Sequence, residues 1–141
     1  MSSEELLRNR TIRRIKPDKS LVQNSIKRAR RDIDTARALI SSGRLDWSLA
    51  VSYNAMLTAG RALMFDRGFR PSGTEGHWAV VQFLSVVTGT QTSERLVLAV
   101  NGLRKKRHRI VYEEMDIVSF DEAEQAVKWA EEFVDTIAKS I

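Results

Sequence analysis

The chain has no cysteine, two histidines, two prolines and seven glycines in 141 residues. Without a thiol there is no disulfide, no thiolate nucleophile and no cysteine-bound zinc, a composition compatible with a reducing compartment. The two imidazoles, His77 and His108, stand 31 positions apart with no paired acidic-histidine motif, so no metal and no cofactor is expected. Scarce proline and glycine leave few breakers, so helix is expected almost throughout and strands are not. No apolar run approaches the roughly 20 residues of a membrane span. The opening MSSEELLRNRTIRRIK also lacks the apolar core of a secretory signal. A single cytoplasmic domain with no membrane partner is the expectation.

Charge is present in excess but unevenly. The net charge is +5, yet residues 1–112 carry 21 Lys and Arg against 9 Asp and Glu, whereas residues 113–141 carry 2 against 9. A phosphate-bearing or acidic partner would favour the basic part, although plain helical proteins show the same asymmetry.

Residues 1–17 hold Arg8, Arg10, Arg13, Arg14 and Lys16 in a weak pattern closed by Pro17, which predicts a basic N-terminal arm. Residues 18–141 then predict an all-α, antiparallel up-and-down bundle of four to five helices. The first helix, 20–42, has Val22, Ile26, Ala29, Ile33, Ala36 and Ile40 on one seam and stops at Gly43. The second runs from Trp47 to Arg67, with Asp46 as its expected cap and Gly68 as its end, and is apolar on most faces, as a central helix is. Asn54, Thr58 and Arg61 share one of its faces; that face either meets water or lines a cleft.

His77 opens the third helix, where a lone histidine reads as a capping or surface residue. A turn is expected at 89–92, and Ser93 is the expected cap of the fourth helix. The last helix starts at a capping box, Ser119 with Glu122, and carries Ala123, Val127, Ala130, Val134, Ile137 and Ile141.

The fourth helix holds the most informative residue. Leu96, Val100, Leu103, Arg107 and Ile110 follow at steps of four and three, so Arg107 occupies a seam position where a leucine belongs. A guanidinium there needs a partner or a cleft. Asn101, Arg104, His108 and Tyr112 form the adjacent polar stripe, while Lys105, Lys106 and Arg109 read as a solvated helix end. An off-pattern cation together with an all-round apolar helix also predicts a homodimer, whose interface would cover both.

At these residues the chain resembles a family. The stretch SLAVSYNAMLTAGRALMFDRGFRPSGTEGHWAVVQFL is similar to the second helix, loop and third helix of HEPN domains, and LRKKRHRIVYEE with VSFDEAEQAVKWAEEFVDTI is similar to their terminal helices. The resemblance covers about residues 20–141. It implies a helical bundle, commonly a homodimer, with an arginine-to-histidine motif facing a cleft. Many active members are metal-independent endoribonucleases, often toxins paired with a small nucleotidyltransferase-type antitoxin. Here Arg107 matches the arginine and Tyr112 stands where the histidine is expected, with His108 directly beside Arg107.

The resemblance therefore implies an RNA-directed protein. In the catalytic reading Arg107 stabilises charge on the phosphorane, His108 takes the 2′-hydroxyl proton and Tyr112 orients the phosphate. Asn101, Arg104, Asn54 and Arg61 are the candidates to hold phosphate or nucleotide. The alternative is a non-catalytic module that binds a nucleotide or a nucleotidyltransferase-type partner through the same arginine.

Overall fold

The computed structural model of the protein describes residues 2–73, 76–87 and 91–141, with 91–93 described by their backbone alone. Among the described residues the elements are α1 (Ser3–Arg8), β1 (Ile12–Arg14), α2 (Lys19–Ser41), α3 (Leu45–Asp66), β2 (Phe69–Pro71), α4 (Gly76–Val87), α5 (Gln91–Tyr112) and α6 (Phe120–Ser140). The fold is all-α, as expected from the helical seams, with one small addition. β1 and β2 pair antiparallel, Ile12 opposite Pro71, where no strand was expected.

The apolar composition of α3 is matched by its position. It packs against α2, α4, α5 and α6, and buries Leu49, Met56, Leu57, Leu63 and Met64 among others. Most of its apolar residues are buried by neighbouring helices of the same chain, while Trp47 near its start is 54% exposed. Gly60 sets the approach of α4: a Cβ added there would lie 2.7 Å from Val80 Cγ1 and 3.2 Å from Leu84 Cδ1. A larger residue would push α4 and the side chains at its start away from α3.

The seam of α2 faces inward, with Val22, Ala29, Ile33 and Ala36 buried. Asp18 caps it, accepting from the Ser20 and Leu21 N–H groups at 2.9 and 3.2 Å. After the C-cap Ser42 the chain turns at Gly43 with φ +77°, which only glycine adopts without strain. α6 opens with the expected capping box between Ser119 and Glu122. The Ser119 N–H, and then Lys106 at 3.2 Å, hold the Glu122 carboxyl below the usual carboxylate range.

Two expectations change. Asp46 does not cap α3, whose N-cap is Arg44 without a side-chain bond. Its carboxylate instead accepts from the Asp116 and Val118 N–H groups at 2.6 and 3.1 Å, fastening the loop before α6 to the start of α3. Residues 1–17, expected as an arm, carry α1 and β1 and bury Leu6 and Ile12 in the main core. β1 is held further by Arg14 over the Phe69 ring, 5.4 Å from its centroid. α5 begins at Gln91, ahead of the expected cap Ser93; that side chain and residues 88–90 of the expected turn lie outside the described residues.

The acidic surplus of α6 is paired off locally. Glu131 bonds Arg37, Glu132 bonds Arg95, Asp135 bonds Arg30 at 2.9 Å, and Glu122 meets Lys106. These carboxylates therefore compensate cations of α2 and α5. Among the described residues no helix is long and apolar enough to cross a membrane.

Candidate functional site

A polar contact joins α3 and α4 inside the bundle. Tyr53 is 1% exposed, and its hydroxyl lies 3.1 Å from Nδ1 of His77, the second residue of α4. The two rings pack at 5.7 Å between centroids. Burial pushes the Tyr53 phenol up to about 12, against the pull of Arg104, Arg107 and Arg61, so it stays protonated. Burial first, and then Arg107, Arg61 and Arg104, hold the His77 imidazole below its ordinary value, so it is neutral near pH 7.

This pairing fixes the tautomer. A buried phenol has one proton and His77 Nδ1 as its bonded neighbour, so the arrangement that satisfies both has Tyr53 donating and Nδ1 accepting. The opposite arrangement would bury an unbonded hydroxyl proton, costing about 1–3 kcal/mol. His77 then carries its own proton on Nε2. In that tautomer the Nε2–H of His77 is a neutral donor.

Three guanidiniums act on this pair. Arg61, Arg104 and Arg107 are each partly buried and each acts electrostatically on both Tyr53 and His77. The Nη2 of Arg61 approaches the start of α4, 3.2 Å from where a Cβ on Gly76 would stand. Arg104 donates from Nε to Asn101 Oδ1 at 3.1 Å and lies over the indole of Trp78, 5.2 Å from its ring centroid. None of the three arginines has a carboxylate partner among the described residues, whereas Arg30, Arg37, Arg95 and Arg109 all do. Among the described residues the cluster is a positive patch without a neutralising carboxylate.

The residues singled out from sequence divide between this cluster and the surface. Arg107, Arg104 and Arg61 act on His77, and Asn101 accepts from Arg104. Asn54 is turned to α2, where its amide donates to Asp32 at 3.0 Å. His108 is 63% exposed, with its Nε2 3.9 Å from Glu113, and its ring packs on the exposed Tyr112 at 4.9 Å. Adjacent positions on a helix point about 100° apart, so Arg107 and His108 face different ways, while His108 and Tyr112 at four residues stack. The imidazole that Arg107 reaches is His77. Tyr53, His77 and Trp78 were missed as site residues because each alone reads as core, cap or surface; the GHW start of a helix beside a basic seam was the available signal.

No curated protein matches the chain. The HEPN domain, however, matches residues 22–141, which takes in α3, α4 and α5 and hence the whole cluster. The chain belongs to the HEPN domain family.

Proposed function

We propose that the protein is an RNA-directed HEPN module that holds the phosphate of a nucleotide or RNA between α3, α4 and α5. The observation that carries this reading is that Arg61, Arg104 and Arg107, with no carboxylate partner among the described residues, all act electrostatically on a Tyr53–His77 pair. Guanidinium forks bond phosphate oxygens in pairs, and the Nε2–H of His77 adds a neutral donor among them. Trp78, 42% exposed beside Arg104, offers an aromatic surface on which a base can stack.

Of the two readings the sequence left open, the binding module is the better supported. Cleavage by a metal-independent route needs a base near the phosphate. His108 keeps company with Glu113 and Tyr112, and His77 presents a proton where a base presents a lone pair. The homodimer is retained as part of the proposal on a different ground from the one first given. A groove of about 550 Å³ lined by Leu49, Leu103, Lys106, Glu122 and Trp129 runs beside Leu98, which is 73% exposed. An apolar side chain standing that far out, next to an apolar groove with both signs of charge at its rim, suits a second copy.

The test is titration of inorganic phosphate, a nucleoside monophosphate and a short RNA into the full chain, with chelator present, alongside Arg107→Ala. Binding weakened at least about tenfold by the substitution is expected. Absence of binding to all three ligands sinks the reading. Cleaved RNA bearing cyclic phosphate ends would restore the ribonuclease alternative.

A further inference from the structure

A second groove opens on the other side of Arg61, between α2 and α3. Its volume is about 340 Å³, and its wall carries two cations, Arg28 and Arg61, with the amide of Asn24 and the hydroxyls of Ser25 and Thr58. Leu21 and Phe65 supply an apolar patch between them. Among the described residues no acidic side chain lines it. Ser25 Oγ donates to the Leu21 carbonyl at 2.8 Å, but Asn24, Arg28, Thr58 and Arg61 have no side-chain hydrogen bond or ion pair among the described residues.

The groove between α2 and α6 makes the contrast. It too is lined by two arginines, Arg30 and Arg37, but Asp34, Glu131 and Asp135 stand with them, and both arginines are ion-paired. A third groove on α2, beside Ile40 and Ser41, likewise sets Glu124 and Glu131 next to Arg37 and Lys128, so of these three the one next to the Tyr53–His77 cluster has cations and no carboxylate among its described lining residues. Arg61 links that groove to the cluster, since it lines the groove while reaching the start of α4 beside His77.

We propose that the α2–α3 groove is a subsite for the adjoining nucleotide, continuous with the first through Arg61, so that the protein takes a single strand of RNA. This rests on the phosphate reading above and extends it. Arg28 and Arg61 bind successive phosphates. Leu21 and Phe65 meet a base, and Asn24 and Thr58 face groups able to bond a base edge or a 2′-hydroxyl. A duplex is excluded from such a site, because its bases are stacked inside and cannot reach an apolar patch set between cations.

The experiment compares the wild-type chain with Arg28→Ala and Arg107→Ala, using a labelled single-stranded RNA, a duplex of the same sequence and inorganic phosphate. Arg28 is exposed and unpaired, so its removal leaves the core untouched. Arg28→Ala is expected to weaken the single strand about tenfold and to lower its log–log salt slope by about 0.7, the share of one phosphate contact. Its effect on inorganic phosphate is smaller than that of Arg107→Ala. Arg107→Ala weakens both ligands.

Leu21→Asp, which places a carboxylate at the groove, weakens the single strand as well. An Arg28→Ala chain with wild-type RNA affinity and slope overturns the groove while the Arg107 cleft stands. Equal affinity for the duplex overturns the single-strand assignment. Loss on Arg28→Ala with none on Arg107→Ala removes the cleft and with it the continuous path.

Discussion

Tyr53 donates its phenolic proton to His77 Nδ1 across 3.1 Å, and this one bond decides which imidazole nitrogen carries the proton. Tyr53→Phe keeps the buried ring and deletes the donor. The unbonded Nδ1 then shares the proton with Nε2, so ¹⁵N spectra of His77 should change from one fixed tautomer to a mixture. The lost bond should cost about 0.5–1.5 kcal/mol in denaturant unfolding. An unchanged spectrum would show that the phenol does not set the tautomer.

Stability should depend on pH through His77. Its folded value lies below its ordinary one, so between the two the unfolded chain binds more protons, and stability rises with pH. The contribution is complete above the unfolded value of about 6.5 and is lost as pH falls through that region. His77→Gln should flatten the profile there. Because burial and the three arginines cause the depression, saturating phosphate should raise the His77 value by offsetting the arginines, and proton NMR titration reads this directly.

At Gly60 the side chains of α4 leave no room for a Cβ on α3. Gly60→Val should destabilise by about 1–3 kcal/mol through overpacking against Val80 and Leu84. Since α4 carries His77 and Trp78, the variant should also lose phosphate affinity while its circular dichroism stays helical. Wild-type affinity in a destabilised variant would uncouple α4 packing from the site.

Asp46 and Ser52 make opposite predictions on one helix. Asp46→Ala frees the Asp116 and Val118 N–H groups and should cost about 1.5–3 kcal/mol, measured by urea unfolding. Ser52 Oγ is buried without a partner, so Ser52→Ala should leave stability equal or raise it by about 1 kcal/mol. A loss on Ser52→Ala would reveal an unrecognised bond to the hydroxyl.

A dimer built on the Leu98 face should dissolve when that face is charged. Light scattering is expected to give twice the protomer mass for the wild type and the protomer mass for Leu98→Arg. A monomeric wild type at micromolar concentration would remove the dimer from the proposed function.

Much of the fold was legible because helices report themselves locally. The seam of α2, the capping box of α6 and the stops at Gly43 and Gly68 all depend on neighbours within a few residues. The features that escaped are those settled by distant partners. Strands of three residues carry too little pattern to be seen, and their pairing joins segments on either side of two long helices. Asp46 had the sequence signature of a cap, but a carboxylate in the first turn can turn outward, and Asp116 and Val118 offered it two N–H groups. Arg107 was legible as an anomaly of its seam. Its imidazole neighbour was not, because adjacency along a helix separates side chains that tertiary packing alone can reunite.

The pairing of the α6 carboxylates with Arg30, Arg37, Arg95 and Lys106 bears on kinetics as well as on charge. Among the described residues it leaves one part of the chain's charge pattern muted and the other, around Arg28, Arg61, Arg104 and Arg107, without ion pairs, which gives the molecule an electric polarity. A polyanion at a distance exerts a torque on such a body and turns it before contact. Fewer encounters are then wasted on the wrong face, and the association rate rises and becomes sensitive to ionic strength, while the lifetime of the complex depends on the contacts made after arrival.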